Sequence, residues 1–277
     1  MTQPASATGL GLYTEAAERA SAEVIAAYST SFGWASKLLG KAERQPVRNI
    51  YALVRVADEI VDGAADEAHD NPAKLLDELE AETYRALESG FSTNLVVHAF
   101  AHTAREAGIK RDIIEPFFHS MRMDLTEREH DQKSFDTYVY GSAEVVGLMC
   151  LKVFMMGHDY SKDERVTLIA GARALGAAFQ KVNFLRDLSA DFKKLGRSYF
   201  PNVNVANFDA ATQTRLIDDI EADLEVSAKT LPLLSPGSRR AVSAAQMFFA
   251  ALNERIRNTP AEVLIETRIS VPNSQKL

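Results

Sequence analysis

Two pairs of aspartates carry the chemistry that this sequence offers. Asp58 and Asp62 are spaced i, i+4 in YALVRVADEIVDG, and Asp187 and Asp191 are spaced i, i+4 in QKVNFLRDLSADFKKLGRSYFP. At roughly 100° per residue, Gln180, Asn183, Asp187 and Asp191 fall within an arc of about 80°, and Tyr51, Arg55, Asp58 and Asp62 within about 60°. Each set therefore occupies one face of a helix. Phe184 and Leu188 border the second arc on one side and Phe179 and Ala190 on the other, so those acids do not lie on an ordinary solvent face. Like charges one turn apart in apolar surroundings repel each other and resist desolvation unless a cation neutralises them. The first helix is ambiguous alone, because Leu53, Val56, Ala57, Ile60 and Val61 lie opposite its acids as they would on a plain surface helix. Together the two pairs are the parts needed to hold Mg²⁺ from two sides. That ion takes only one or two protein carboxylates and completes its octahedron with water and substrate phosphate.

The elements that position these pairs read as helices throughout. Residues 1–13 read as a loose tail, and EAAERASAEVIAAYS as a helix with acids in its first turn. Pro46 is expected to start the helix of the first pair and Gly63 to end it. Asn71 and Pro72 open another helix as cap and first-turn proline. Ser134 is expected to cap a long helix through residue 157, in which Gly141, Ser142, Ala143 and Gly147 permit close approach of a neighbour or a ligand. Ser161 with Glu164 forms a capping box for the helix that ends in the second pair. From about Asp209 three more helices follow, with Pro236 and Pro260 near two starts. His98 and His102 are four apart but lack a third ligand, and Glu127 with His130 supplies one copy of a Glu-x-x-His motif whose di-iron site needs two. Both are read as ordinary helix or interface side chains. No strand-like alternation or internal repeat competes, so the expectation is one all-α domain over residues 14–277.

The totals limit the function classes. The 277 residues are 46% hydrophobic, enough for a sizeable core, and 31 Lys plus Arg against 38 Asp plus Glu leave a net charge of −7. That balance argues against a nucleic-acid partner, and an anionic substrate has to be met by local cations and metal. The single cysteine, Cys150, rules out an internal disulfide, and no Cys or His cluster has zinc spacing. No signal peptide is read at the N-terminus, and the most apolar segment, residues 145–156, is too short to span a bilayer. The expected location is cytoplasmic, with peripheral membrane contact left open.

From about Ser29 to the C-terminus the ordered motifs resemble the squalene and phytoene synthases, head-to-head prenyl transferases, and look most like bacterial phytoene synthases. The resemblance implies an isoprenoid-synthase helical bundle around a central apolar cavity. It implies Mg²⁺, with Mn²⁺ as an alternative and no NADPH, and the condensation of two geranylgeranyl diphosphates to phytoene through a cyclopropylcarbinyl diphosphate. Catalytic roles would fall to Asp58, Asp62, Asp187, Asp191, Tyr51 and Arg55. Substrate contacts would come from Ser29, Ser31, Phe32, Gln180, Asn183, Arg186, Arg197, Tyr199 and Arg268, and metal ligands from Asp58, Asp62, Asn183, Asp187 and Asp191. Residues alone allow a second role for Ser29, Thr30 and Ser31, that of helix cap. The apolar product would pass to a membrane or a desaturase. The chain departs from the family at Glu144, where Gly is usual, and at Phe248, where a Tyr is usual. MRMDL, residues 121–125, is read as helix-end packing. The alternatives are a dehydrosqualene or squalene synthase using farnesyl diphosphate, and a non-catalytic helical interaction protein on the same fold.

Overall fold

Helix caps and close helix contacts account for the element boundaries in the computed structural model, which describes residues 8–190 and 198–269, without the side chains of Thr30, Ser31, Phe32, Trp34, Asp66 and Ala190. Among these residues there is no strand, only an isolated bridge between Glu129 and Ser198. The helices are α1 (Leu10–Tyr28), α2 (Thr30–Leu38), α3 (Lys41–Asp62), α4 (Ala64–Glu67), α5 (Pro72–Ser89), α6 (Leu95–Ala107) and α7 (Arg111–Thr126). They continue as α8 (Gln132–Val139), a π-helical turn (Tyr140–Glu144), α9 (Val145–Phe154), α10 (Lys162–Ala190), α11 (Ala210–Ala228), α12 (Pro236–Arg257) and α13 (Ala261–Leu264).

Several boundaries follow the expected signals. Asn71 caps α5 by accepting from the Lys74 N–H at 3.2 Å, Ser161 and Glu164 exchange hydrogen bonds of 2.8 and 3.2 Å ahead of α10, and Gly63 ends α3 with φ of 142°. Three boundaries differ. Helix α1 begins at Leu10, inside the segment read as a tail, because Tyr13 donates to the Ser92 carbonyl at 2.9 Å and packs at an angle against Phe91 and edge-on to His98. Helix α3 begins at Lys41, with Pro46 inside it. Its start is set by Glu43, which accepts from the Gly40 N–H at 3.2 Å and from Ser235 and Ser238 at 2.9 and 2.7 Å, tying α3 to the start of α12. Asp131, not Ser134, caps α8 by accepting the Ser134 N–H at 2.7 Å, and the expected long helix is interrupted by the π turn.

The small residues do what their size allows. A Cβ on Gly141 would lie 2.1 Å from the Pro116 carbonyl oxygen, and one on Gly147 would lie 2.4 Å from that of Ala172. The π turn thus packs directly on α7, and α9 on α10. Lys181 donates to Asp219 and Asp223 at 2.5 and 2.8 Å, pinning α10 to α11. Two apolar cores result. One joins α3, α5, α6, α7 and α9 through residues such as Leu53, Phe100, Phe117 and Met149; the other joins α8, α10, α11, α12 and α13 through Phe135, Leu185, Ile217 and Ile256. Leu39, Ile50, Met121 and Leu168 of the first and Tyr138, Phe184 and Phe249 of the second line a common cavity. The cavity lies in the seam between them.

Candidate active site

The cavity has a volume of about 930 Å³ and is lined chiefly by α2, α3, the π turn, α9, α10 and α12. Along α3 its wall runs from Asp62 to Val47 and along α10 from Asp187 to Leu168. At 1.5 Å per residue these walls are about 22 and about 28 Å long. All the acids lie at one end. Asp58 on α3 is electrostatically coupled to Asp62 and to Asp124 of α7. Asp124 in turn is bonded by Tyr138 and Tyr199, and both of those rings pack on Phe184 of α10. The opposite end, with Leu39, Val47, Leu168 and Leu234, carries no charged side chain and only the hydroxyls of Ser36, Ser227 and Thr230.

On the α3 side, burial and the charges of Asp62 and Asp124 push the Asp58 carboxyl up to about 8, against the lowering effect of Arg55. Arg55 bonds to Glu59 and sits 4.4 Å over the Tyr28 ring, and its Nε–H is buried without an acceptor. Tyr51 shares a hydrogen bond with the Ser29 side chain; burial raises its phenol above the ordinary value. On the α10 side Asp187 accepts from Arg186 Nε at 3.2 and 3.1 Å and from Arg268 Nε at 2.6 Å. Asn183 and Gln180 line the same wall one and two turns deeper. Cys150 also lines the cavity, and burial pushes its thiol up to about 12, so it stays neutral.

Of the residues expected to serve the site, Tyr51, Arg55, Asp58, Asp62, Ser29, Gln180, Asn183, Arg186, Asp187, Tyr199 and Arg268 all border this one cavity. Asp191 and Arg197 lie outside the described residues, as do the side chains of Ser31 and Phe32. Phe248 lines the wall where the resemblance leads one to expect a Tyr. Tyr199, expected to reach phosphate, donates to Asp124 at 3.3 Å on the cavity wall. Glu144 is not a lining residue; it turns to α10 and accepts from Arg173 at 2.6 Å. His98 and His102 go to separate partners, Thr14 at 3.0 Å and Glu106 at 3.5 Å, in keeping with a packing role.

Asp124, in the segment read as packing, is the acid that the spacing argument missed. It is 5% exposed, lines the cavity, and accepts from the Tyr138 hydroxyl at 2.9 Å on both oxygens. A signal for it exists in the sequence: by helical count Ile113, Phe117, Ser120 and Asp124 share one stripe of α7, so Asp124 falls on a core-facing line. Among the described residues no group of three or more His, Cys, Asp or Glu side chains stands ready to hold a metal ion.

A family model described as squalene/phytoene synthase matches residues 25–275. The chain is 30% identical to the 15-cis-phytoene synthase of Paracoccus sp. (strain N81106 / MBIC 01143), over 93% of this chain and 87% of that protein. It is 32% identical to the chloroplastic phytoene synthase 1 of Solanum lycopersicum over 71% of this chain, a match that spans about half (47%) of that longer protein. Among solved structures, the squalene synthase HpnC from Alicyclobacillus acidocaldarius aligns with a TM-score of 0.76 at 18% identity, covering 88% of this chain and 94% of that one. A dehydrosqualene synthase in complex with ligand aligns with a TM-score of 0.76 at 20% identity, covering 95% and 93%. Both share the all-α fold described above.

Proposed function

The chain belongs to the squalene/phytoene synthase family of prenyltransferases, and from that premise we propose that it joins two geranylgeranyl diphosphates head to head to give phytoene. The observation that carries this reading is the cavity, acidic and cationic at one end and uncharged and mainly apolar along the rest of its walls. A four-unit prenyl chain extends roughly 20 Å and a three-unit chain roughly 15 Å, given single bonds of about 1.5 Å. The α3 and α10 walls, at about 22 and about 28 Å by helical rise, leave room for the longer one. The volume of about 930 Å³ is at the upper end of the range of about 300–1,000 Å³ for small-molecule sites, as two chains require.

The polar end suits a divalent cation. Its donors are oxygens, the preference of Mg²⁺, and the Asp58 carboxyl, raised by burial and by the nearby Asp62 and Asp124, is one that a bound cation would help to ionise. Asp58, Asp62, Asn183, Asp187 and Asp191 would hold the ions. Bound there, Mg²⁺ supplies Lewis-acid stabilisation of a departing diphosphate. The chain's own residues do the rest. Arg55, Arg186, Arg197 and Arg268 offer guanidinium donors whose geometry matches phosphate oxygens; the Arg186 and Arg268 donors now on Asp187 can transfer to the substrate. Deeper in, Phe179, Phe184, Phe248 and Phe249 give the prenyl chains a dry aromatic wall, which excludes water from a carbocation and favours the cation over ring faces. The apolar product would leave for a membrane or a following desaturase. No described helix is long and apolar enough to cross a membrane.

The test is product identification by chromatography and mass, with geranylgeranyl or farnesyl diphosphate, with and without Mg²⁺ and NADPH. Phytoene from geranylgeranyl diphosphate and Mg²⁺ alone is the expected outcome. Farnesyl diphosphate should react more slowly, since each unburied methylene-sized unit forgoes about 0.8 kcal/mol. A preference for farnesyl diphosphate moves the enzyme to thirty-carbon products, and an NADPH-dependent product makes it a squalene synthase.

A further inference from the structure

Asp124 has no ligand role in the scheme above, yet it is a buried carboxylate on the cavity wall, held by two tyrosine hydroxyls where Asp187 is held by arginines. Tyr138 donates to both of its oxygens at 2.9 Å and Tyr199 to one at 3.3 Å. Burial and the adjacent carboxylate raise the Tyr138 phenol well above its ordinary range, so Tyr138 remains a donor. Tyr199 is itself fixed by two further rings. Its ring stacks on Phe184 at 4.1 Å and 7°, and is near-parallel to His130 at 5.8 Å and 12°. His130 does not reach the cavity; it is buried, 5.2 Å from the Tyr138 ring and 3.3 Å from the Ser134 hydroxyl. The backbone completes the clasp, with the Ser198 N–H donating to the Arg128 carbonyl at 2.8 Å.

We propose that Asp124 is a further catalytic residue, the fixed negative charge that faces the carbocation, and that His130 is a positioning residue acting through Tyr199. This deepens the functional reading above and rests on it. Ionisation breaks the allylic C–O bond heterolytically: the electron pair leaves with diphosphate and an allylic cation remains. Arginines and metal stabilise the anion, but the cation needs a counter-charge too, set in advance and shielded from water. Asp124 stands beside Tyr138, Phe184 and Tyr199 in the cavity wall, where such a cation has an aromatic lining. A bare carboxylate there would be alkylated. Phenol donors on both oxygens lower its nucleophilicity and leave its net charge in place, a combination that accounts for two tyrosines on one acid. Ordinary packing of a helix end does not call for a buried acid at this position, because an apolar residue would fill it without desolvation cost.

The charge matters only once the cation forms, so Asp124→Asn should lower kcat about 100-fold, the scale of losing one preorganised electrostatic group, with KM within a few-fold. The variant should be folded, with a melting temperature no lower than wild type, since it relieves repulsion with Asp58. His130→Phe, which keeps a ring against Tyr199, should retain most of wild-type kcat, whereas His130→Ala should lose about tenfold. Amide hydrogen exchange at Ser198 should quicken in His130→Ala and not in His130→Phe. A folded Asp124→Asn with wild-type kcat, or one changed only in KM, overturns the charge role. Equal losses in the two His130 variants overturn the positioning role. If wild type turns over no prenyl diphosphate, the functional reading has failed instead, and the exchange measurement still tests the clasp by itself.

Discussion

The two aspartate helices share a spacing and differ in electrostatic state. On α3, Asp58 has Asp62 and Asp124 as acidic neighbours, while Arg55, the nearest cation, is bonded to Glu59; the carboxyl is pushed up to about 8. On α10, Asp187 is gripped by Arg186 from its own helix and by Arg268 from the chain's C-terminal region. One side buries its acid beside other acids, and the other holds its acid in ion pairs. The difference teaches that an i, i+4 pair specifies where carboxylates point and not what they meet. Under the proposed function this implies a division of labour: the α3 side would attract cations outright, while on the α10 side Asp187 would exchange its two arginines for a metal-bound diphosphate.

Substituting both sides tests that comparison most severely. Asp58→Asn and Asp187→Asn should each cut turnover by two or more orders of magnitude, because each removes stabilisation of charge that develops in the transition state. Their metal-free stabilities should then diverge. Asp58→Asn should melt no lower than wild type, having shed like-charge repulsion, whereas Asp187→Asn should lose up to about 1 kcal/mol with its half-exposed ion pairs. Thermal melts in EDTA decide this; a parallel response of the two variants would erase the proposed asymmetry.

A smaller effect lies in the pH dependence of the metal-free protein. The Asp58 carboxyl has an ordinary value of 3.8 and is raised to about 8 in the fold. Below about 4 both folded and unfolded states hold the proton. As pH rises towards about 8 the unfolded chain releases it first, so the native state binds more protons and stability falls, levelling above that range. Melting temperature against pH in EDTA should show this decline, and Asp58→Asn should flatten it. An unchanged slope in the variant would assign the decline to other groups.

The smallest change is expected away from both helices. Glu144 pairs with Arg173, which is 49% exposed and lies 5.1 Å over the Tyr140 ring, and it borders no part of the cavity. Glu144→Gln should therefore cost about 0–1 kcal/mol and leave kcat near wild type. A large loss of activity would mean that the α9–α10 contact transmits to the α10 acids.

What the sequence by itself determined is local. The caps at Asn71 and Ser161, the stop at Gly63 and the shared faces of Tyr51, Arg55, Asp58, Asp62 and of Gln180, Asn183, Asp187 all follow from a helix's period and its unsatisfied ends, which neighbouring residues set. The family motifs were legible for the same reason, as ordered runs of residues. What only the tertiary structure decided involves partners distant in the chain. Lys41 rather than Pro46 begins α3 because Glu43 is held by Ser235 and Ser238 of α12. Asp124 belongs to the site because Gly141 lets the π turn settle on α7, bringing Tyr138 onto its carboxylate. Arg268 meets Asp187 across 81 positions of sequence. Charge coupling falls off with distance in space and is indifferent to distance along the chain, so the state of each acid is set only once the helices are packed.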